Sequence, residues 1–426
     1  MKTISNNSSF IRLIVRIIIF THVFALSGCN NNLVRESPNE AELVKTGPQL
    51  SESIENEAKS SSFTPALGTK LDVIIPVFDP GLSDSAENYE EEGIWPELRR
   101  AEANRFAFKL KQALDNTQKF GDVRVTPDKT ASGDLYILGK ILASDGEEVE
   151  FNLTVIDISG KEWLDDKFGH EVKEGFYKNL RKKNVDPYEP AFKNAADKIA
   201  ALLKDKSNPE LSRLKDIAQL RFGASFNQEA FMEYLNTDNN YFQLVAMPSD
   251  DDPILKRVSS IRVREQLFID NLQQNYQSFS ENMNDSYSKW QEAAFQEKKL
   301  RAEAKKKGIL KAIGGVVLIG LSIAAAANSD SSSVIANNAA TTAAVAGGIA
   351  AAWMLSGSFK SHEEAQLHKD ALDELGESIN LELAPQVITF EEESVELTGN
   401  INEQFAQWRA FLKRIYEQES TPEQAI

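Results

Sequence analysis

Residues 71–81 of this 426-residue chain read LDVIIPVFDPG, a short apolar run closed by turn residues. Such a run is typical of a buried strand that ends in a tight turn. A helix is predicted from Pro96 to about Gly121, because apolar residues recur there at intervals of three and four. These positions are Ala103, Phe106, Leu110, Ala113 and Leu114. The folded part of the chain is therefore expected to open with a strand and an amphipathic helix.

Alternating apolar residues predict further strands after this helix. The expected strands are Val123 to Val125, Leu135 to Ile141, Val149 to Ile158 and about Trp163 to Val172, with turns at Gly146 and Ser159-Gly160. A last helix carries Phe192, Ala195, Ala196, Ile199, Leu202 and Leu203. This order predicts an α+β domain over residues 64–205, with helices on one face of a small mixed sheet.

Four segments of this domain resemble a periplasmic domain found in several envelope proteins. They read DVIIPVFDPG (72–81), ALDNTQKFGDVRVTP (113–127), GDLYILGKI (133–141) and VEFNLTVIDISGKEW (149–163). The pattern is similar to that of the curli-secretion lipoprotein, the outer-membrane activators of peptidoglycan synthases and the amino-terminal domain of the Tol system's propeller protein. Gly139 and the turn at 157–160 lie at matching places. The resemblance, which covers about a third of the chain, implies a module that acts by binding or assembly.

An acidic loop from Ser83 to Gly93 departs from that pattern and leads into Ile94-Trp95-Pro96. Trp95 has two interpretations, a packing anchor beneath the loop or an exposed contact for a partner protein. Large aromatic side chains are usually buried, so the packing anchor is favoured.

The first 28 residues have the pattern of a secretory signal. Three basic residues precede an uncharged run, residues 17–28, which is too short for a stable membrane-spanning helix. The run ends in Leu26-Ser27-Gly28-Cys29, which resembles the lipobox of bacterial lipoproteins. The resemblance implies cleavage between Gly28 and Cys29, and a diacylglycerol and an N-acyl chain on Cys29. A signal-anchor helix with an incidental cysteine is the alternative.

The residues after the lipobox indicate the compartment. Cys29 is the only cysteine, so no disulfide can form within the chain. Lipoproteins of enteric-type bacteria are retained in the inner membrane by Asp after the cysteine. Asn30 stands there instead, so the resemblance implies the outer membrane, with the body facing the periplasm. Residues 29–62 are rich in Asn, Ser, Glu and Pro, which predicts a disordered tether.

The charge of the chain limits its partners. The formal net charge is −17, and residues 1–28 carry three basic and no acidic residues, so the mature chain has about −20. Such acidity argues against a nucleic acid, whose phosphates repel it. The expected partners are membrane lipid, an unidentified envelope protein and further copies of the chain. No cofactor is expected besides the lipid on Cys29.

Residues 209–307 are predicted to be helical. One short helix is expected around Leu211 to Ala218 and another over residues 222–235. Asp250 to Asp252 suggest calcium binding, but the spaced ligands and the glycine of a calcium loop are missing, so Asp252 is expected to cap a helix that begins at Pro253. This long helix must bury one stripe against another helix, in the chain or in a neighbour. The stripe comprises Val258, Ile261, Leu267, Phe268, Leu272, Tyr276, Phe279, Met283, Tyr287 and Trp290.

The long helix ends in a basic cluster that starts at Lys298 and Lys299. The whole cluster, from Lys298 to Lys311, is expected beside anionic lipid head groups, and the membrane-surface patch is assigned to Lys305, Lys306, Lys307 and Lys311. Two uncharged runs follow over residues 308–360 and resemble the glycine-zipper segments of small outer-membrane lipoproteins, which implies a transmembrane hairpin. Small residues that allow close helix packing are Ala339, Ala343, Gly347 and Ala351, with Gly348 beside them. A soluble Ala-rich helix pair inside an oligomer is the alternative.

Residues 361–426 are predicted to form a helix opened by a capping box at Ser361, a short β-hairpin after Pro385, and a last helix antiparallel to the long one. No catalytic or metal site is predicted. His362 and His368 are six residues apart, which does not place them on one helix face. Asp79 and Asp157 follow strands, where forming a turn is the commoner role of aspartate.

These patterns together predict a non-enzymatic outer-membrane lipoprotein, oligomeric, that acts as an assembly, scaffold or export-complex component of the cell envelope. The alternative is a periplasmic regulator or activator of a peptidoglycan synthase that acts through the α+β domain.

Overall fold

The computed structural model describes residues 68–83, 89, 94–179, 185–238, 241–306, 362–376, 381, 383–390 and 393–420. All of them belong to one compact unit, residues 67–426. The predicted signal, the tether and the Ala/Gly-rich hairpin lie outside the described residues.

A five-stranded mixed sheet forms the centre of the described chain. Its strands are β1 (Val73–Pro76), β2 (Val123–Thr126), β3 (Leu135–Ser144), β4 (Glu148–Asp157) and β5 (Glu162–Glu171). Their order in the sheet is β2-β1-β3-β4-β5, and β1 is parallel to both of its neighbours. Strands β3, β4 and β5 form an antiparallel meander. The predicted strands are confirmed.

Helices α1 (Pro96–Thr117) and α2 (Glu189–Leu202) pack together on one face of this sheet. Their shared core contains Phe106, Phe151 and Phe192, with the ring of Phe192 centred 5.2 Å from Phe106 and 5.1 Å from Phe151. Alternate β4 residues point into this core, while those between them, such as Thr154 and Ile156, are half-exposed. Helices on one face of a mixed sheet confirm the predicted α+β class.

Two glycines in the sheet are explained by close packing. A Cβ on Gly139 would lie 2.4 Å from the ring of Phe78, which is buried against it. Gly146, in the β3–β4 turn, has a φ of +83°, and a Cβ there would lie 2.6 Å from the carbonyl oxygen of Gln291.

Gly121 does not end α1 as predicted. The helix stops at Thr117 because Gln118 takes the left-handed conformation and its amide bonds the Asp115 carbonyl.

The second half of the described chain is mainly helical, as predicted. After α3 (Asn208–Ala224) and α4 (Gln228–Met232) come the strands β6 (Leu235–Asp238) and β7 (Tyr241–Leu244), then α5 (Pro253–Lys306) and α6 (His362–Gly376). The strands β8 (Gln386–Phe390) and β9 (Glu393–Leu397) precede α7 (Ile401–Ser420). The single helix predicted over residues 222–235 is wrong. Phe222 belongs to α3, and Asn227 starts a separate helix by accepting a hydrogen bond from the Ala230 amide.

Helix α5 is 54 residues long, about 80 Å at 1.5 Å per residue. It contacts β2, α1, α3, α6 and α7. Near its start, Arg257 donates to the Tyr416 carbonyl (2.8 Å), and further along Phe268 stacks on Phe405 at 6.3 Å. Residues further along α5 therefore contact residues earlier in α7, which means that the two helices are antiparallel, as predicted.

The buried stripe of α5 follows the prediction except at one position. Val258, Ile261, Phe268 and the later predicted residues are buried, whereas Leu267 is 58% exposed. Glu265 is fully buried and occupies the stripe position between Ile261 and Phe268. The buried positions of α5 are therefore spaced three or four residues apart, and one of them carries an acid, Glu265.

Candidate functional site

A group of polar side chains, most of them buried or half-buried, lies where α5 contacts β2 and α1. We call this group the α5 interface and define it by Glu102, Arg105, Arg124, Ser132, Asp186, Glu265, Asp270, Gln273, Ser280, Asn284 and Tyr287. Its members come from six separate parts of the chain: α1, β2, the loop before β3, the loop before α2, and two stretches of α5. The polar groups of α5 form hydrogen bonds and ion pairs with those of α1, β2 and the two loops.

Arg105 of α1 is the centre of one part of the α5 interface, with 2% of its side chain exposed. Its guanidinium donates to the Ser280 carbonyl (2.9 Å) and to Asn284 Oδ1 (2.6 Å) on α5. It also donates to Asp186 Oδ2 (2.8 Å) and lies over the Tyr287 ring, 4.7 Å from its centroid. Although Asp186 is buried, the nearby Arg105 guanidinium and the Tyr188 amide lower its pKa.

Glu102 is one helical turn away and fully buried. Its Oε1 accepts hydrogen bonds from the hydroxyls of Ser144 (2.5 Å) and Tyr287 (2.7 Å), while Arg99 Nε lies 3.6 Å from Oε2. Burial raises the pKa of Glu102, and Arg99 and the two hydroxyls only partly offset this effect. The carboxyl is thus held by three elements at once.

The free edge of β2 is closed by side chains of α5. Gln273 accepts a hydrogen bond from the Val125 amide (2.9 Å) and donates one to the Val125 carbonyl (2.8 Å). Arg124 binds Asp270 through two donors, at 2.6 and 3.0 Å. A side-chain amide therefore supplies the hydrogen bonds that another strand would make.

Glu265 joins α5 both to the sheet and to α7. Its Oε1 accepts a hydrogen bond from the Ser132 amide (3.0 Å), and Arg409 Nε of α7 lies 3.3 Å from Oε2. Burial raises the pKa of Glu265, opposed by Arg409. Glu265, on the otherwise apolar stripe of α5, thus connects this helix to the loop before β3 and to α7.

Beside the α5 interface, a cleft of about 330 Å³ opens between α3 and α5. Asp72 and Asp134, which precede β1 and β3, line it together with Lys215 of α3 and Arg262 of α5. Lys215 Nζ lies 3.3 Å from a carboxylate oxygen of each aspartate. Burial raises the pKa of Asp134, while Lys215 opposes this shift. The cleft is thus a charged recess at the amino-terminal ends of two adjacent strands.

Comparison of this chain with protein-family models, with curated proteins and with solved structures finds no match.

The lipidation residue Cys29, the cleavage residue Gly28 and the hairpin residues 339–351 lie outside the described part of the chain. Lys307 and Lys311 do too, and for Lys305 and Lys306 only the helical backbone is described. Among the described helices, none is long and apolar enough to span a membrane. The predicted hairpin and the basic patch stay predictions.

The start of the basic cluster differs from what was expected. Lys298 binds Asp145 (2.8 Å) and Glu147 (3.0 Å), and Lys299 binds Glu174. These acids belong to the β3–β4 turn and to the segment after β5. Lys298 and Lys299 therefore attach α5 to the α+β domain and are not free to bind a lipid surface as predicted.

Several single-residue predictions are confirmed. Trp95 is 9% exposed and donates to Asp373 of α6 (2.9 Å), so it is a packing anchor. Asp252 Oδ1 accepts hydrogen bonds from the amides of residues 254 and 255 and caps α5. Asp79 and Asp157 accept hydrogen bonds from the amides of Gly81 and Ser159, and both form turns. Within the described ranges, no cluster of three or more His, Cys, Asp or Glu residues is placed to hold a metal ion, and the expectation of no metal site stays a prediction.

Apart from Tyr287, which belongs to the predicted stripe of α5, the residues of the α5 interface were missed by sequence reasoning. Glu265 had a usable signal, because it stands where the spacing of the α5 stripe calls for an apolar residue. Glu102 had one too, because it stands four residues before Phe106, beside the predicted apolar face of α1. Arg105 had none, because it lies off that face and is buried by contacts with α5 and the loop before α2.

Proposed function

We propose that this protein is an outer-membrane lipoprotein that acts by contact, as an assembly or scaffold component of the cell envelope. The lipid on Cys29 anchors it, the tether lets the body stand away from the membrane, and the α+β domain is its binding module. The resemblance to the lipobox and the sequence pattern of the periplasmic domain support this proposal.

The attachment of α5 to the α+β domain is the structural observation that carries the proposal. Contacts between the domain and this helix are spread along its length and involve Arg124, Gln273, Arg105 and Glu102. Close to the end of the helix, Lys298 makes a further contact with the domain. The chain continues from Lys306 into the uncharged run 308–360. A helix held in this way suits a rigid connection between a binding module and a second attachment point.

Metabolic labelling with palmitate tests the anchor. The wild-type chain should incorporate label and fractionate with the outer membrane, and Cys29→Ala should incorporate none. An unlabelled wild-type protein, or the intact precursor in the cytosol, would contradict the proposal. Alkaline extraction of Cys29→Ala then tests the hairpin, because an inserted hairpin keeps the unlipidated chain in the membrane pellet.

A regulator of a peptidoglycan synthase is the second candidate, and the open side of the sheet favours it. Strands β3 and β4 present half-exposed residues such as Leu138, Thr154 and Ile156 on the face opposite α1 and α2. Deletion of residues 309–359 separates the two candidates. Loss of a large assembly in gel filtration supports the scaffold, whereas retained stimulation of a cell-wall enzyme supports the regulator.

A further inference from the structure

The cleft between α3 and α5 holds more acidic than basic side chains. Asp72, Asp134 and Asp216 line it, together with the cations Lys215 and Arg262. Lys215 Nζ is shared by two carboxylates, at 3.3 Å from each. One ammonium between two acids leaves the cleft with unbalanced negative charge.

Asp134 is the most deeply buried of these acids, with none of its side chain exposed. Its Oδ1 accepts no hydrogen bond from any residue that the structure describes, and Arg262 Nη2 lies 3.6 Å away. Other donors of Arg262 are engaged by Ser132 Oγ (3.1 Å) and Gln219 Oε1 (3.3 Å). A buried carboxylate with incomplete hydrogen bonding is costly, and a further cation nearby would lower that cost.

Asp216 is the acid in the cleft that remains available. It follows Lys215 on α3 and is half-buried. Among the described residues, its carboxylate has neither an ion pair nor a hydrogen bond, and desolvation raises its pKa. An unpaired carboxylate in the lining of an already anionic recess favours a ligand that carries hydrogen-bond donors and positive charge.

Two apolar side chains line the cleft among its polar ones. Val263 is 54% exposed, and Met247, in the segment before α5, is 37% exposed. Both line the same cleft as Asp216. An aliphatic stem could cover these side chains while a charged end group reaches the acids.

We propose that this cleft binds an alkylammonium group, with its ammonium on Asp216 and its methylene stem against Met247 and Val263. An ammonium offers three donors and no acceptor, which matches Asp216 and the unsatisfied Oδ1 of Asp134, although Asp134 Oδ2 already accepts a hydrogen bond from the Asp72 amide (2.8 Å). Free diamines and the lysine side chain of a partner protein both present this group. The inference does not depend on the proposed membrane anchorage.

Isothermal titration calorimetry on the full-length chain in detergent micelles tests the proposal. Pentylamine, 1,5-diaminopentane and N-acetyl-lysine methylamide are the probes, and 1-pentanol is the uncharged control. Saturable binding of an amine and none of pentanol is expected. Equal behaviour of pentylamine and pentanol, or no binding of any amine, overturns the proposal. A preference for the lysine derivative assigns the source to a partner protein, and a preference for the diamine assigns it to a free amine, while both support the site.

Two cleft variants and one control variant keep the test specific. Asp216→Asn should weaken amine binding by about tenfold or more, since it removes the charge that binds the ammonium. Asp250→Asn, at an exposed aspartate before α5, is the matched control and should bind as the wild type does. Val263→Lys places a tethered ammonium at the cleft and should block added amine, with an unchanged circular dichroism spectrum. Unaltered affinity in both Asp216→Asn and Val263→Lys would rule the cleft out.

Discussion

Arg105 is a charge buried inside the protein, and its contribution to stability depends on the groups that its two terminal nitrogens bind. It holds the buried carboxylate of Asp186 and two groups on α5, so removing it leaves an uncompensated charge behind. Breaking a buried pair is strongly destabilising, whereas exposed pairs contribute little. Two arginines of α1 allow this difference to be measured.

Arg105→Met should lower the free energy of unfolding by about 3–5 kcal/mol, because Asp186 loses its cation. Arg100→Met is the control on the same helix. The side chain of Arg100 is 35% exposed and pairs with Glu97 at 3.4 Å, so its loss should change stability by about 0.5 kcal/mol or less. Urea unfolding measures both. Equal effects would mean that Arg105 is not buried in an ion pair.

Glu102 predicts a dependence of stability on pH. Its pKa is raised from the ordinary 4.5 by burial, so the folded state holds this proton more tightly than the unfolded state. The contribution of this group is therefore complete below the unfolded pKa and is lost as the pH rises through the folded pKa.

Glu102→Gln removes this titration while keeping an acceptor for Ser144 and Tyr287. Between about pH 4 and pH 7, the variant should gain stability relative to the wild type, by about 1.4 kcal/mol for each pKa unit of the shift. Urea unfolding at several pH values measures the difference. Glu281→Gln, at an exposed glutamate of α5, serves as the control. A difference for Glu102→Gln that stays constant with pH would show that this carboxyl ionises normally.

At the scale of elements, β2 and α5 form one structural unit through Gln273. The side-chain amide pairs with both backbone groups of Val125, at 2.9 and 2.8 Å, as a neighbouring strand would. An open strand edge invites pairing with another chain. Helix α5 therefore stabilises the sheet and blocks its β2 edge.

Gln273→Ala should cost about 1–3 kcal/mol, because it leaves the amide and the carbonyl of Val125 without partners. Hydrogen exchange of the Val125 amide should become faster as well. Gln277→Ala is one turn further along α5, where Gln277 bonds Glu281 on an exposed face, and should cost about 0.5 kcal/mol or less. Unchanged exchange at Val125 in Gln273→Ala would argue against the contact.

Among the elements, those with a strong local signal were predicted and the hairpin β6–β7 was not. The run VIIP of β1 and the apolar spacing of α1 are repeated patterns that a few residues reveal. Leu235 to Leu244 mixes polar and aromatic residues, and its hairpin is held from outside. Phe242 donates its amide to the Ser159 carbonyl (2.9 Å), and Arg221 lies over its ring.

At the scale of the whole molecule, the α+β domain and the helices α5 and α7 share buried contacts. Glu265 links the loop before β3 to α7, and Arg409 of α7 donates to the Thr130 carbonyl. Elements joined by buried polar groups are expected to unfold together.

The full-length chain should unfold in urea in a single transition, with the same midpoint by far-ultraviolet circular dichroism and by tryptophan fluorescence. Of the five tryptophans, Trp95 and Trp163 lie in the α+β domain, whereas Trp290 and Trp408 lie on α5 and α7. In Trp95→Phe and in Trp408→Phe, the fluorescence and circular dichroism midpoints should still coincide. A fluorescence midpoint that departs from the circular dichroism midpoint in either variant would show that the helices fold independently of the sheet.

The sequence alone determined the class of the fold, the strands β1 to β5, the long helix with its Asp252 cap, and the antiparallel return of α7. These depend on side-chain period and turn chemistry, which act over a few residues. Only the tertiary structure decided which polar residues are buried. Glu102 meets Tyr287 across 185 positions and Ser132 meets Glu265 across 133, and no local pattern encodes such a pairing. The same packing turned Lys298 from an expected lipid contact into an attachment to Asp145, because a charge binds the partner that folding brings near it.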